Sequence, residues 1–336
     1  MDCKYMPIVS IESLKIGYHY GRHQKILLPP LNATAARGEM VAVIGRNGIG
    51  KSTLLRTLVG LQQPIGGTIT ISGKELTGYS RLGMARVAGY ISTENVRVNN
   101  MKIIDLVALG RYPHTNWTGR ITTKDREEVY KAIERTGLNG LENRFVSELS
   151  DGERQRAMIA RVLAQDTEIM VMDEPTAFLD ITNRFEVVNL MHELTQRGKT
   201  ILFSTHDFNI AMRQADKIWL MLGTELAEGA PEDLVLGGTF EQLFDTSAGR
   251  INYEEGSFEF RKQIKGKIHI GGEGKLKYWT EKAVSRAGYE ISSAETLISV
   301  RIPSGTPGKW TLFKGDSSAE FTTLYELVRN LNAKNR

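Results

Sequence analysis

The chain has 336 residues, 41% of them hydrophobic and 24% charged, with a formal net charge of +4. These are the proportions of an ordinary globular protein long enough for more than one domain. No stretch approaches the roughly 18 apolar residues of a membrane span, and Met1-Asp2-Cys3-Lys4 opens no charged-then-apolar leader. The expectation is therefore a protein without transmembrane helix or export signal; its single cysteine, Cys3, excludes an internal disulfide and a cysteine zinc cluster and fits the cytosol.

In chain order, alternation predicts strands near residues 7 to 19 and 67 to 72, an antiparallel layer flanking the segment between them. That segment opens with an apolar strand, Met40 to Ile44, and continues as Gly45-Arg46-Asn47-Gly48-Ile49-Gly50-Lys51-Ser52-Thr53. Backbone N–H groups freed at the glycines can converge on phosphate oxygens, and the helix starting near Lys51 offers its positive dipole end. Lys51 adds a full charge for the β- and γ-phosphates, and Ser52 supplies a hydroxyl of the kind that ligates Mg²⁺.

Helical periodicity at 103 to 110, 122 to 136 and 152 to 165 predicts a mostly helical insert. Within it, Gly110 and Pro113 stop a helix and leave Arg111, Tyr112 and His114 on an exposed turn suited to a partner. Leu149-Ser150-Asp151-Gly152-Glu153-Arg154-Gln155 places a serine hydroxyl and a glycine N–H at a helix start, a second anion site. Ile169 to Met172 is a continuous apolar run, a buried parallel strand closing on Asp173 and Glu174. Ligands of open α/β sheets bind at that edge. Asp173 is placed to hold Mg²⁺ through water, and Glu174 to orient or deprotonate the water that attacks the γ-phosphate. Beyond the next strand, Thr200 to Thr205, His206 is placed toward the same phosphate.

These motifs, in this order, resemble the ATPase subunit of an ATP-binding-cassette transporter over about residues 7 to 246. GRNGIGKS is similar to the phosphate loop, LSDGE to the family signature, IMVMDE to the acidic strand, Pro175 to Asp180 to the D-loop, and His206 to the switch histidine. The resemblance implies a P-loop cassette with a mostly parallel sheet, an antiparallel β layer and a helical subdomain at about 95 to 165. It implies ATP and Mg²⁺ as cofactors, and a head-to-tail homodimer in which Ser150, Gly152 and Glu153 of one copy close over the nucleotide of the other. Tyr18, 27 residues before Gly45, is the candidate for stacking on adenine, with Tyr20 on the same alternating face as its substitute. The glutamine that the family carries in its Q-loop is replaced by Thr93, whose hydroxyl could touch a Mg²⁺-bound water; Glu94 and Asn95 are the alternatives.

Leu106 to Thr115 resembles the LGRxP stretch of importers of iron-siderophore, haem and cobalamin chelates. The resemblance implies polytopic permease subunits as partners, an extracytoplasmic substrate-binding protein acting indirectly, no nucleic acid, and a peripheral place on the cytoplasmic face of the inner membrane. Two other classes stand beside this reading: a non-transport cassette protein, against which the single cassette and absent zinc cluster speak, and a regulatory nucleotide sensor, against which Glu174 speaks.

Residues 247 to 336 read as a small α+β domain. Alternation predicts strands at 256 to 260, 267 to 270 and 298 to 302. Leu276, Trp279, Ala283 and Ala287 form one apolar helical stripe; Leu324, Leu327, Val328 and Leu331 form another, with Ser317 and Glu320 as its capping box. From Ser247 onward 15 Lys and Arg face 10 Asp and Glu, a diffuse net +5 that reads as a solvated face, with weak attraction to an anionic membrane as the functional option.

Overall fold

The computed structural model describes residues 7–20, 23–93, 100–116, 119–243, 249–252, 257–260, 263–303 and 308–333. The chain divides into two compact units, residues 1–259 and 260–336. The first begins with β1 (Val9–Lys15), β2 (Gly17–Tyr20), β3 (His23–Ile26), β4 (Leu31–Ala35), β5 (Met40–Gly45), α1 (Lys51–Leu58), β6 (Gly66–Ile71) and β7 (Lys74–Glu75). It continues through α2 (Arg81–Val87), β8 (Ala88–Ile91), α3 (Ile103–Ala108), α4 (Thr123–Arg135), α5 (Asp151–Ala164), β9 (Ile169–Met172) and α6 (Ile181–Gln196). Then follow β10 (Thr200–Ser204), α7 (Phe208–Gln214), β11 (Lys217–Met221), β12 (Leu226–Gly229) and α8 (Pro231–Leu236). A two-stranded pair, β13 (Gly249–Asn252) and β14 (Ser257–Phe260), lies at the division.

The central sheet has the order β12-β11-β5-β10-β9-β8, parallel throughout except for β12 at one edge. Its strands β5 and β9 are apolar and buried along their whole length because both faces are covered. Met40, Ala42 and Ile44 of β5 enter one core with Leu106, Val129, Ile159 and Leu190 from α3 to α6. Val41 and Val43 enter the other with Ile11, Leu31, Leu54 and Ile69 from the antiparallel sheet β4-β1-β6-β7 and α1. The strand expected over 7 to 19 is broken at Ile16, and β2 turns away to pair with β3.

The structure corrects the expectation of an exposed turn at Arg111. Tyr112 is exposed, but Arg111 is buried, its guanidinium donating to Asp125 Oδ1 at 2.9 Å and to the Ala164 carbonyl at 2.8 Å. Gly110 explains why: a Cβ there would lie 2.0 Å from the Arg161 carbonyl oxygen, so only glycine lets this turn pack against the end of α5. His114 Nε2 lies 2.8 Å from the Gln165 carbonyl, tying the same turn to the same helix end. Asp125 has a second task in the capping box of α4, where its carboxylate accepts from the Thr122 N–H and hydroxyl at 2.9 and 2.7 Å.

The second unit contains β15 (Gly266–Gly271), α9 (Gly274–Arg286), β16 (Tyr289–Ser292), β17 (Ile298–Arg301), β18 (Trp310–Lys314), β19 (Ser317–Phe321) and α10 (Leu324–Asn332). The sheet order is β16-β15-β17-β18-β19, with β15 parallel to both its neighbours. Ile268, Ile270, Val300 and Leu312 bury one face with Val284 of α9 and Leu327 and Leu331 of α10. Two expectations change here. Trp279 is 55% exposed, and Val284 takes the core position. Ser317 and Glu320 lie on β19; α10 is capped instead by Thr323, whose hydroxyl accepts from the Glu326 N–H, while Glu326 accepts from Thr322.

Burial alone would raise the Asp125 pKa, but the hydrogen bonds from Thr122 and the Arg111 guanidinium bring it down to about 2. A carboxylate whose folded pKa is depressed contributes stability that is complete above its unfolded value, near 3.8, and is lost as pH falls toward 2. Asp125→Ala leaves Arg111 buried without its counter-ion and is expected to cost about 3–5 kcal/mol in denaturant unfolding. Asp125→Asn should flatten the acid limb of a stability-against-pH profile between about pH 4 and 2; an unchanged profile would remove the assigned role of the pair.

Candidate active site

Three neighbouring parallel strands, β9, β10 and β5, deliver their carboxyl ends to one place. From β5 comes the phosphate loop, leading into α1; from β9 come Asp173 and Glu174; from β10 come Ser204, Thr205 and His206. The register sets Phe203 opposite Met172 and Ser204 opposite Val43, which brings Ser204 beside the acidic pair.

Asp173 is 2% exposed, and its Oδ1 accepts from the Ser52 hydroxyl at 3.0 Å and the Ser204 hydroxyl at 2.7 Å. The Ser204 oxygen also accepts from the Glu174 N–H at 2.9 Å. Glu174 has φ 50°, a left-handed conformation rare for a side chain of its size, held by that bond. Its Oε1 lies 2.7 Å from His206 Nε2. Lys51 is buried, its ammonium donating to the carbonyl of Gly45 at 2.9 Å, with His206 Nδ1 at 3.5 Å. Burial lowers the Lys51 pKa, against the charges of Glu174 and Asp173, which raise it. A cleft of about 510 Å³ runs past Glu174 and His206 and is walled by Phe178, Arg184, Asp207 and Phe208.

The structure thus brings together Lys51, Ser52, Asp173, Glu174 and His206. Thr93 joins them through the backbone, its hydroxyl donating to the Asp173 carbonyl at 3.0 Å. Glu94 and Asn95 lie outside the described residues, as does the side chain of Tyr20. Tyr18 sits on the β2–β3 hairpin with its ring 42% exposed and its hydroxyl 3.0 Å from Thr53 Oγ1, at the first turn of α1.

Ser150, Gly152, Glu153 and Asp180 form a separate group. Ser150 caps α5, its hydroxyl accepting from the Glu153 N–H at 3.2 Å while the Glu153 carboxylate accepts from the Ser150 N–H at 2.8 Å. A Cβ on Gly152 would fall 2.1 Å from Asn183 Oδ1, and Asp180 holds that asparagine at both its backbone N–H and its amide. Asn183 of α6 therefore links Gly152 to Asp180 within one chain.

Two participants escape a reading of motifs. Ser204 carries the signal of a hydroxyl ending an otherwise apolar buried strand. Tyr90, its hydroxyl 3.4 Å from Asp173 Oδ2 and accepting from Arg56 Nε at 3.3 Å, carries none. Burial pushes the Tyr90 pKa up to about 12, so the phenol stays protonated beside the carboxylate.

Residues 28–177 match the family described as ABC transporter, and residues 265–332 match the iron ABC transporter C-terminal domain. The achromobactin transport ATP-binding protein CbrD of Dickeya dadantii is 36% identical over 242 residues, 71% of this chain and 88% of that protein. The ferric enterobactin transport ATP-binding protein FepC of Escherichia coli is 38% identical over 235 residues, 69% of this chain and 85% of that protein. Among solved structures, cbiO1 from Clostridium perfringens, part of the ABC transporter complex cbiONQ, superposes with a TM-score of 0.60 at 28% identity, covering 68% of this chain and 91% of that one. The chain belongs to the ATP-binding proteins of ABC transporters, and carries an iron ABC transporter C-terminal domain beyond its cassette.

Proposed function

We propose that the chain is the ATP-hydrolysing subunit of an ABC importer that takes up an iron-siderophore, haem or cobalamin-type chelate through separate polytopic permease subunits. In this reading it works as a homodimer at the cytoplasmic face of the inner membrane, and an extracytoplasmic binding protein delivers the chelate to the permease. Relatives named for achromobactin and ferric enterobactin transport support the chelate class, as does the iron-transporter C-terminal domain. No helix among the described residues is long and apolar enough to cross a membrane, which is consistent with transport through other subunits.

The observation that carries the reading is the convergence of Lys51, Ser52, Asp173, Glu174 and His206 at three adjoining strand ends. The backbone of Gly45 to Thr53 and the Lys51 ammonium would cradle the phosphates. The Ser52 hydroxyl and the Asp173 carboxylate, 3.0 Å apart, are hard oxygen donors of the kind Mg²⁺ requires. Mg²⁺, when bound with the nucleotide, supplies neutralisation of charge on the phosphate oxygens. Glu174 takes the proton of the water whose oxygen attacks the γ-phosphorus, as the bond to the β-phosphate oxygen breaks and ADP leaves. His206, within hydrogen-bond distance of Glu174, orients that carboxylate and reaches the γ-phosphate. Tyr18 stacks on adenine. Ser150 and Gly152, at the start of α5, act on the nucleotide of the second copy, where N–H groups and the helix dipole meet its γ-phosphate.

Glu174→Gln is expected to retain ATP binding, cut turnover at least a hundredfold and leave an ATP-bound dimer on size exclusion with light scattering. Fast turnover in that variant would sink the assignment of the base. Ser204→Ala removes one of the two hydroxyls on Asp173 Oδ1 and should raise the Mg²⁺ concentration for half-maximal ATPase activity about tenfold, with Ser204→Thr restoring it. An unaltered Mg²⁺ titration would show that Ser204 does not position the carboxylate.

A further inference from the structure

The second unit contains a cleft of about 700 Å³ that runs along β15 and β17 from the loop before β17 to the ends of both strands. His269 and Gly271 of β15, Ser299 and Arg301 of β17 and Phe313 of β18 alternate with the core residues of the same strands, so the cleft lies on the face of the sheet opposite α9 and α10. The volume falls in the range of small-molecule sites.

Its walls carry both signs of charge. Arg301 lies over the Phe313 ring, its guanidinium carbon 5.2 Å from the centroid. Gly271 lies opposite Arg301 in the parallel register, so no side chain crowds the arginine from that neighbour. His269 is fixed by its Nδ1, 3.0 Å from the Ser292 carbonyl, and its backbone N–H donates to Thr296 Oγ1 at 3.1 Å. Glu273 and Glu295 supply the opposite sign from the loops before α9 and β17. A purely anionic ligand would meet these two carboxylates, and a purely cationic one would meet Arg301. No group of three His, Cys, Asp or Glu among the described residues is arranged to hold a metal ion.

We propose that this cleft binds an amino carboxylate, a small molecule carrying both a carboxylate and a protonated amine, with the carboxylate on Arg301 and the amine on Glu273 and Glu295. Bidentate pairing suits the guanidinium, and Phe313 with Ile302 and Pro303 gives an apolar wall for the ligand's carbon skeleton. All its lining residues belong to the second unit, so its test is independent of the transport reading.

The test uses the full chain and three sets of probes in thermal unfolding and isothermal calorimetry. These are the free amino acids and glycyl dipeptides, the anions acetate, citrate and phosphate, and the amines ethylenediamine and spermidine. At least one amino acid or dipeptide should raise Tm by several degrees at about 100-fold above its Kd, and the monofunctional probes should not. Arg301→Ala should abolish the shift and Arg301→Lys weaken it, while the double variant Glu273→Gln, Glu295→Gln loses preference for the amine. Far-UV circular dichroism and an unliganded Tm equal to those of the unsubstituted chain report intact folding of the variants. Equal stabilisation by an anion or an amine alone, no response to any amino acid or dipeptide, or a shift that survives in Arg301→Ala would each overturn the proposal.

Discussion

One carboxylate oxygen organises the centre of this molecule. Asp173 Oδ1 accepts from two hydroxyls on two different elements, Ser52 at the first turn of α1 and Ser204 at the end of β10. The carboxylate is almost wholly removed from solvent, where an unpartnered charge is costly and hydrogen bonds to the charged form offset that cost. Because Ser204 also holds the Glu174 N–H, the same hydroxyl that steadies the buried aspartate fixes the left-handed backbone from which the neighbouring glutamate projects. The positions of the glycine-rich loop, Asp173 and Glu174 are therefore not independent.

That coupling requires a rigid frame, and the frame is the parallel sheet. Alternate residues of β5, β9, β10 and β11 enter opposite cores, so a slip of one residue would exchange every side chain between them. The register is fixed by burial on both faces, and the strand ends inherit that precision. Function in such folds sits at loops held by a rigid scaffold. In the helical subdomain the corresponding constraint is Arg111, which joins the turn after α3 to Asp125 of α4 and the Ala164 carbonyl at the end of α5. The helix begun by Ser150 at one end is thus anchored by this buried ion pair near the other.

The second unit follows a different plan. Its five-stranded sheet buries one face under α9 and α10, and the residues of the other face alternate with them along each strand. Small domains of this size have limited core, and the unit relies on aromatic residues with polar tips to complete it. Trp310 Nε1 donates to the Thr280 hydroxyl at 2.9 Å, and the Tyr289 hydroxyl donates to the Leu331 carbonyl at 3.2 Å.

Much of the active site was legible because its signals are contiguous. The glycine-rich loop follows its strand directly, Asp173 and Glu174 close an apolar run, and Ser150 and Gly152 mark a helix start; each works through local backbone geometry. The strand β19 was not legible because Ser317 to Glu320 are exposed and no apolar alternation marks them. By itself the sequence determined the order of the elements, the apolar faces and the chemistry of the nucleotide loop. Tertiary structure alone decided that Arg111 is buried, that Trp279 is exposed, and that Ser204 and Tyr90 reach Asp173 from 31 and 83 residues away. Those outcomes depend on which groups become neighbours once two faces of a sheet are covered, and a buried polar group takes whatever partner that packing brings within hydrogen-bond distance.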